Sequence, residues 1–282
     1  MISLLVAALA AFQAPAPAAR PLVEAPVAGS AFGLSGGIVQ GGLVRGAAPR
    51  GTMRLTLDGK PVPTAPDGRF LLGFDRDQAP RALLAAELAD GRRIEEALGV
   101  APGTWKIERI PMARSADGPT PAFQRIREPE LARIDAARAS ASDAQGWRQA
   151  FVWPASGRKS GVFGSQRIYK GVPAAFHGGV DIAAGAGATV VAPADGVVML
   201  AGPPAFSLEG NLVILDHGLG LNSAFLHLSE SFVRVGQRVR QGEAIGKVGM
   251  TGRATGPHLH WAVKWGDARI DPAGLVAAPA SP

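Results

Sequence analysis

The chain has five histidines, His177, His217, His227, His258 and His260, and all of them lie beyond residue 176 of 282. Two spacings stand out. His177-Gly-Gly-Val-Asp181 sets an imidazole and a carboxylate four positions apart, and His258-Leu-His260 sets two imidazoles two apart. On an extended strand an even separation puts side chains on one face, so both members of each pair can converge on one ion while Leu259 and Trp261 point away. Two imidazoles and one carboxylate, with the fourth tetrahedral position left to water, make the ligand set of a hydrolytic zinc site; a structural site would close that position. A lone pair of histidines is usually explained by hydrogen bonds to backbone. Here the two pairs together point to a metal, and spacing alone leaves open which imidazoles take it. The chain has no cysteine, which excludes disulfides, thiolate metal sites, a cysteine nucleophile and a lipid-modified N-terminal cysteine.

Such a cluster needs strands to hold it. Gly 37 and Pro 23 against Tyr 1 and Phe 11 predict many turns and short strands, and 47% hydrophobic with 18% charged residues is ordinary globular usage. The length allows two domains. Residues 1–18 read as a signal peptide: an apolar run from Met1 to Phe12, then Ala16-Pro17-Ala18 as an A-x-A-like cleavage site, with Pro15, Pro17 and Pro21 stopping any longer helix. Export follows, with no membrane span once the segment is cleaved. Residues 30–115 predict a small β-sandwich-like domain. In it Met53, Leu55 and Leu57 alternate with polar residues, turns fall at Asp58-Gly59, Asp67-Gly68 and Asp90-Gly91, and Trp105 and Ile107 share a face of a last strand. Residues 116–152 predict a linker with a helix starting at Pro129 and ending near Gly146. Residues 153–276 hold the histidines, and 277–282 are a tail. The net charge of +6 is spread along the chain with no basic stripe, which argues against nucleic acid.

The segment from about Trp153 to Pro272 resembles the lysostaphin-type zinc metallo-endopeptidases, which cut peptidoglycan peptides. Six blocks match in order: Gly161-Val-Phe-Gly-Ser-Gln-Arg167, His177-Gly-Gly-Val-Asp-Ile-Ala183, Ala192-Pro-Ala-Asp-Gly-Val197, Gly210-Asn-Leu-Val-Ile-Leu-Asp-His-Gly218, Phe225-Leu-His-Leu-Ser229 and Thr251-Gly-Arg-Ala-Thr-Gly-Pro-His-Leu-His-Trp261. The resemblance implies a mainly β fold, with an antiparallel sheet carrying one zinc ion per chain on the floor of a groove. It implies His177, Asp181 and His260 as the ligands, and His227 and His258 as the pair that handles the water and the developing oxyanion. His217 is expected to be structural. Phe225 stands where the family often has tyrosine, so one hydroxyl is missing. Arg167 is assigned to substrate binding because a guanidinium can hold a carboxylate bidentately, with a structural ion pair as the competing account. Tyr169, the only tyrosine, is assigned to donate to the oxyanion.

The implied substrates are stem peptides or crosslinks of peptidoglycan, and the Gly-Ser-Gln-Arg-Ile block looks like Gram-negative members of the family. Two other functions compete. One is a catalytically silent relative that binds peptidoglycan or activates an amidase, although such proteins lose ligands that this chain keeps. The other is a biotinyl or lipoyl carrier, suggested by Val235 to Gly246, but no lysine stands at a hairpin tip and the histidines go unexplained.

Overall fold

A computed structural model of the chain describes residues 26–112 and 120–277. The expected signal peptide, residues 113–119 at the junction of the expected first domain and linker, and most of the expected tail lie outside the described residues. The described chain is mostly β. Its first unit contains β1 (Leu43–Ala47), β2 (Thr52–Leu57), β3 (Lys60–Pro61), β4 (Arg69–Gly73), β5 (Arg81–Leu88), β6 (Arg93–Gly99) and β7 (Ile107–Ile110). An antiparallel β1/β4 pair faces a four-stranded sheet in the order β3-β2-β5-β6. Between them Phe32, Leu34, Phe70, Leu72, Phe74 and Leu84 form a core, joined by Leu55 and Leu57 from the alternating face of β2. The Asp58-Gly59 turn is a two-residue hairpin with both residues left-handed, at φ 50° and 78°. Met53 departs from the predicted face and is 77% exposed, because the β2/β5 register shifts between Thr52 and Arg54.

β4 is buried on both sides. Phe70 and Leu72 belong to the first core, whereas Leu71, with Leu43 of β1, packs into the core of the second unit. The expected last strand also crosses over. β7 runs parallel to β9 (Gln166–Tyr169), pairing Ile107 with Gln166 and Ile110 with Tyr169, and the Trp105 ring packs edge-on to Phe163 at 5.6 Å. Alternation specified an apolar face for this strand but not its partner.

Helix α1 (Pro121–Ala139) begins eight residues before the predicted start, so Pro129 lies inside it. The Thr120 hydroxyl caps the Phe123 N–H and Pro121 occupies the first turn, a start signal stronger than Pro129. The helix ends at Ser140, not at Gly146, and Ile134 and Ala137 face the protein while Leu131 is exposed.

The second unit adds β8 (Arg158–Gly161), β9, β10 (Val172–Pro173), β11 (Val180–Ala183), β12 (Thr189–Val191), β13 (Gly196–Leu200), β14 (Asn211–Gly218), β15 (Leu221–Ser231), β16 (Arg238–Val239), β17 (Ala244–Val248), β18 (Leu259–Trp265) and β19 (Ala268–Ile270). The main path of its sheet is β16-β13-β14-β15-β18-β11-β8, antiparallel throughout, with β12, β17 and β19 joined beside it. One face presents Val180, Ile182, Val213, Leu215, Phe225, Leu259, Trp261 and Val263 to a large core. Trp147 and Phe151, from the segment read as linker, sit in that same core, so the packed unit starts before Trp153. On the other face Leu212, Ile214 and Ala224 pack under Ile134 and Ala137 of α1, and the strand positions beyond them carry the histidines.

Candidate metal centre

Asp181 on β11 and His260 on β18 are direct partners in the antiparallel register, so their side chains leave one face side by side. Val180, Ile182, Leu259 and Trp261, the alternate residues, anchor both strands in the core behind. His177 comes from the connection before β11, not from a strand shared with Asp181, so the expectation of one strand for that pair does not hold. Its backbone is tied to the 162–165 turn: His177 N–H donates to Ser165 O at 2.8 Å, and Gly164 N–H donates to His177 O at 2.9 Å. The glycines between His177 and Asp181 make room. A Cβ on Gly179 would lie 2.3 Å from Trp261 O and 2.9 Å from the His260 ring.

These constraints converge on three atoms. His177 Nε2 lies 3.0 Å from Asp181 Oδ1 and 3.0 Å from His260 Nδ1, and His260 Nδ1 lies 2.8 Å from Asp181 Oδ1. Tetrahedral zinc with bonds of about 2.0–2.2 Å holds its donors about 3.3–3.5 Å apart, so an outward shift of a few tenths of an ångström suits this set. The donor chemistry also fits. His177 Nδ1–H donates to Val162 O at 3.1 Å, which leaves Nε2 with its lone pair toward the site. Burial opposes ionisation of Asp181, but the facing imidazoles of His177 and His260 outweigh it and hold the carboxyl below its usual range. Burial works against a charged His177, yet the Asp181 carboxylate overcomes this and raises its pKa; the same charge would favour a cation between them. Burial dominates at His260 and lowers its pKa, keeping it in the neutral form a ligand needs.

His227 and His258 flank this group. Their ring centroids are 4.8 Å apart, and His258 Nε2 is 3.8 Å from Asp181 Oδ1. Each has its Nδ1–H committed to a carbonyl, His227 to Thr251 O at 2.9 Å and His258 to Gly256 O at 2.8 Å, so each presents Nε2. Burial lowers the His227 pKa, with the neighbouring His258 adding to it against the Thr251 hydrogen bond. His227 reaches this face through a bulge. Strand alternation from Phe225 would send it into the core, but between Val213 and Asn211 on β14 the partner β15 carries an extra residue. His227 absorbs the extra residue at φ 64°, a left-handed conformation that costs a non-glycine side chain free energy, and Leu228 returns to the core. Its N–H is held by Glu209 O at 2.8 Å, and the Thr251 hydroxyl donates to Leu228 O at 2.8 Å, closing the bulge against the 251 turn.

His217 is fully buried, between Asp195 O and the Ser223 hydroxyl at 2.8 Å each, with Phe151 against its ring. It makes no contact with the other four. Arg167 and Tyr169 lie on β9. Arg167 donates to Glu108 of the first unit at 2.9 Å and is largely exposed. Among the described residues no hydrogen bond or ion pair joins either to the histidine cluster.

Sequence reasoning missed Arg76. Only 7% exposed, its guanidinium donates to Gly164 O at 3.2 Å and Gln166 Oε1 at 3.1 Å, and it lies over the Phe176 ring at 4.9 Å. It therefore braces the turn that holds His177 from the other unit. Asp75 beside it accepts from Arg269 N–H at 2.9 Å. Nothing in the first unit's strand pattern signals either contact.

In this mostly β protein two imidazoles and a carboxylate, flanked by two more imidazoles, form a donor set that could hold a metal ion. Residues 175–272 match the model of peptidase family M23. A crystal structure of an M23 peptidase from Pseudomonas aeruginosa superposes with a TM-score of 0.65 at 31% identity, covering 86% of this chain and 97% of that one. The chain belongs to peptidase family M23. Over 85 residues it is 42% identical to the peptidoglycan DD-endopeptidase ShyA of Vibrio cholerae, 30% of this chain and 19% of the relative. Over 101 residues it is 42% identical to the DD-carboxypeptidase/endopeptidase Mpg of Neisseria meningitidis, 36% of this chain and 23% of the relative. The aligned stretch thus spans about a fifth of the length of these curated relatives.

Proposed function

We propose that the chain is a zinc-dependent endopeptidase that hydrolyses peptide bonds in peptidoglycan stem peptides or crosslinks. The observation that carries this reading is the convergence of His177 Nε2, Asp181 Oδ1 and His260 Nδ1, all within 4.8 Å of one another. In this reading those three hold one zinc ion. When bound, zinc lowers the pKa of a coordinated water toward about 7 and polarises the scissile carbonyl. His227, kept neutral by burial, is placed to accept a proton through Nε2 and pass it to the leaving amine. His258 is placed to orient the water or, when charged, to stabilise the oxyanion. Backbone acceptors on both Nδ1 atoms fix the tautomers that these roles need.

The names of the relatives support peptidoglycan as substrate, and a peptidoglycan substrate in turn supports export to the periplasm or cell wall. No helix among the described residues is long and apolar enough to cross a membrane. We assign residues 30–115 a positioning role, since Arg76 braces the turn behind His177. Arg167 and Tyr169 remain candidates for contact with an extended peptide at the edge of the groove. Metal analysis of the purified chain, together with mass spectrometry of fragments released from sacculi, tests the reading. One zinc per chain with peptide fragments is expected; cleaved glycan strands with intact peptides would overturn it.

A further inference from the structure

Beside His260 lies a cavity of about 220 Å³ between α1 and the sheet. Leu226 and Ala262 give it an apolar floor, and Arg138, Lys264 and Arg269 bring three cations to its walls. The acidic residue in its lining, Glu209, is already held by the Arg127 guanidinium at 2.5 and 2.7 Å. Arg269 is shared with Asp75. The side chains of Arg138 and Lys264 make no ion pair or hydrogen bond among the described residues, and Arg138 Nε is buried without any partner. Burial lowers the pKa of both and the Arg138 charge adds to it at Lys264, while Asp135, with Glu209 at Arg138 and Asp267 at Lys264, opposes it from beyond ion-pair distance. Two unpaired cations facing a partly buried cavity are costly unless an anion enters. The position of Arg138 in the last turn of α1 accounts for a basic residue there, but not for the turning of Nε away from water.

We propose that this cavity is a subsite for a free carboxylate of the peptide substrate, supplied jointly by the linker helix and β18. The inference rests on the endopeptidase reading. His260 lines the cavity, and an extended peptide advances about 3.3–3.6 Å per residue, so the carboxylate belongs to a residue at or next to the scissile bond. Arg138 supplies a forked donor and Lys264 a point charge, while Leu226 and Ala262 take the carbon that bears the carboxylate. A peptide with that carboxylate blocked would leave both cations unpaired, so the subsite would select for an unamidated peptide.

The test uses the zinc-loaded full chain and three versions of one product tetrapeptide ending in D-alanine. One has all its carboxylates free, one has its C-terminal carboxylate amidated as a control, since hydrolysis creates that group, and one has the side-chain carboxylate of its diamino acid amidated. Calorimetric titration is expected to show the form amidated on its diamino acid binding about ten- to a hundredfold more weakly than the free acid, whereas a loss confined to the C-terminal amide would place the contact on a group the substrate does not carry and overturn the subsite. Arg138→Gln and, independently, Lys264→Met should each shrink that ratio toward one, and Arg138→Lys should restore part of it. Equal binding of the three peptides, or a ratio that survives both substitutions, would overturn the subsite. Hydrolysis of the matching crosslinked substrate is followed in parallel. Absence of cleavage counts against the endopeptidase reading, whereas the binding ratios report on the carboxylate subsite by themselves.

Discussion

The two faces of the central sheet are written by alternate residues of the same strands, yet they do opposite work. Behind, Leu259, Trp261 and Val263 of β18 and Val180 and Ile182 of β11 are buried among other apolar side chains. In front, His258, His260 and Asp181 stand partly exposed with side-chain accessibilities of 16–24%. The back face makes the strands rigid, and the front face uses that rigidity to hold charged and polar groups at distances that repulsion and desolvation would otherwise widen. Stability and chemistry therefore separate by face more than by position along the chain, and mutations should separate the same way.

The largest effect is expected on the front face. Replacing His177, Asp181 or His260 by Ala removes one of three proposed protein bonds to zinc, so metal content should fall toward zero, hydrolysis should vanish and the thermal midpoint should drop. Metal analysis beside a melting curve reads this. A zinc-free His258→Ala beside a zinc-bound His260→Ala would reverse the roles given to those two. Next, His227→Ala or His258→Ala should keep about one zinc per chain while kcat falls by about a hundred- to ten-thousandfold. Equal zinc loss in these variants would erase the division between ligands and proton carriers.

On the back face, Phe225→Ala is expected to cost about 3–5 kcal/mol in denaturant unfolding, since the ring is fully buried. Zinc should still bind to the molecules that remain folded. If Phe225→Ala released the metal from folded protein, the separation by face would fail. A smaller effect is expected from across the unit boundary. Arg76→Met keeps most of the volume but removes the donors to Gly164 O and Gln166, and should weaken zinc binding about tenfold through His177, measured by competition with a chelator.

The smallest effect concerns His217, the histidine with no part in the site. Burial, its largest influence, lowers its pKa below the ordinary 6.5. Between its folded pKa and 6.5 the unfolded chain binds more protons than the folded one. Its contribution to stability is therefore complete above pH 6.5 and declines as the pH falls through the folded value. The thermal midpoint should drop on acidification, and His217→Asn should flatten part of that slope while leaving zinc binding unchanged. A slope unaltered by the substitution would mean that His217 titrates alike in both states.

The candidate donor set was legible because it depends on residue type and local spacing. The absence of cysteine restricts the ligands to imidazole and carboxylate, and the even spacing of His258 and His260 puts both on one face whatever strand lies beside them, since the two-residue period belongs to the backbone itself. The same period separates Leu259 and Trp261 to the core. The apolar alternation in β2 was readable for the same reason, and where it misled, at Met53, a register shift had changed the phase.

The remainder depends on groups far apart in the chain. The pairing of Asp181 with His260 is a matter of register between strands about eighty residues apart, and no local pattern states it. His227 faces the site only because β14 forces an extra residue of β15 into a left-handed conformation, a choice that neighbouring strands impose at a cost in free energy. The partner of β7, the brace from Arg76 and the meeting of Arg138 with Lys264 arise from packing between segments whose sequences carry no mark of one another. Local sequence selects which groups can react because side-chain type and backbone period are properties of a few residues. Their mutual placement is selected by the whole set of long-range contacts, which exists only once the chain has folded.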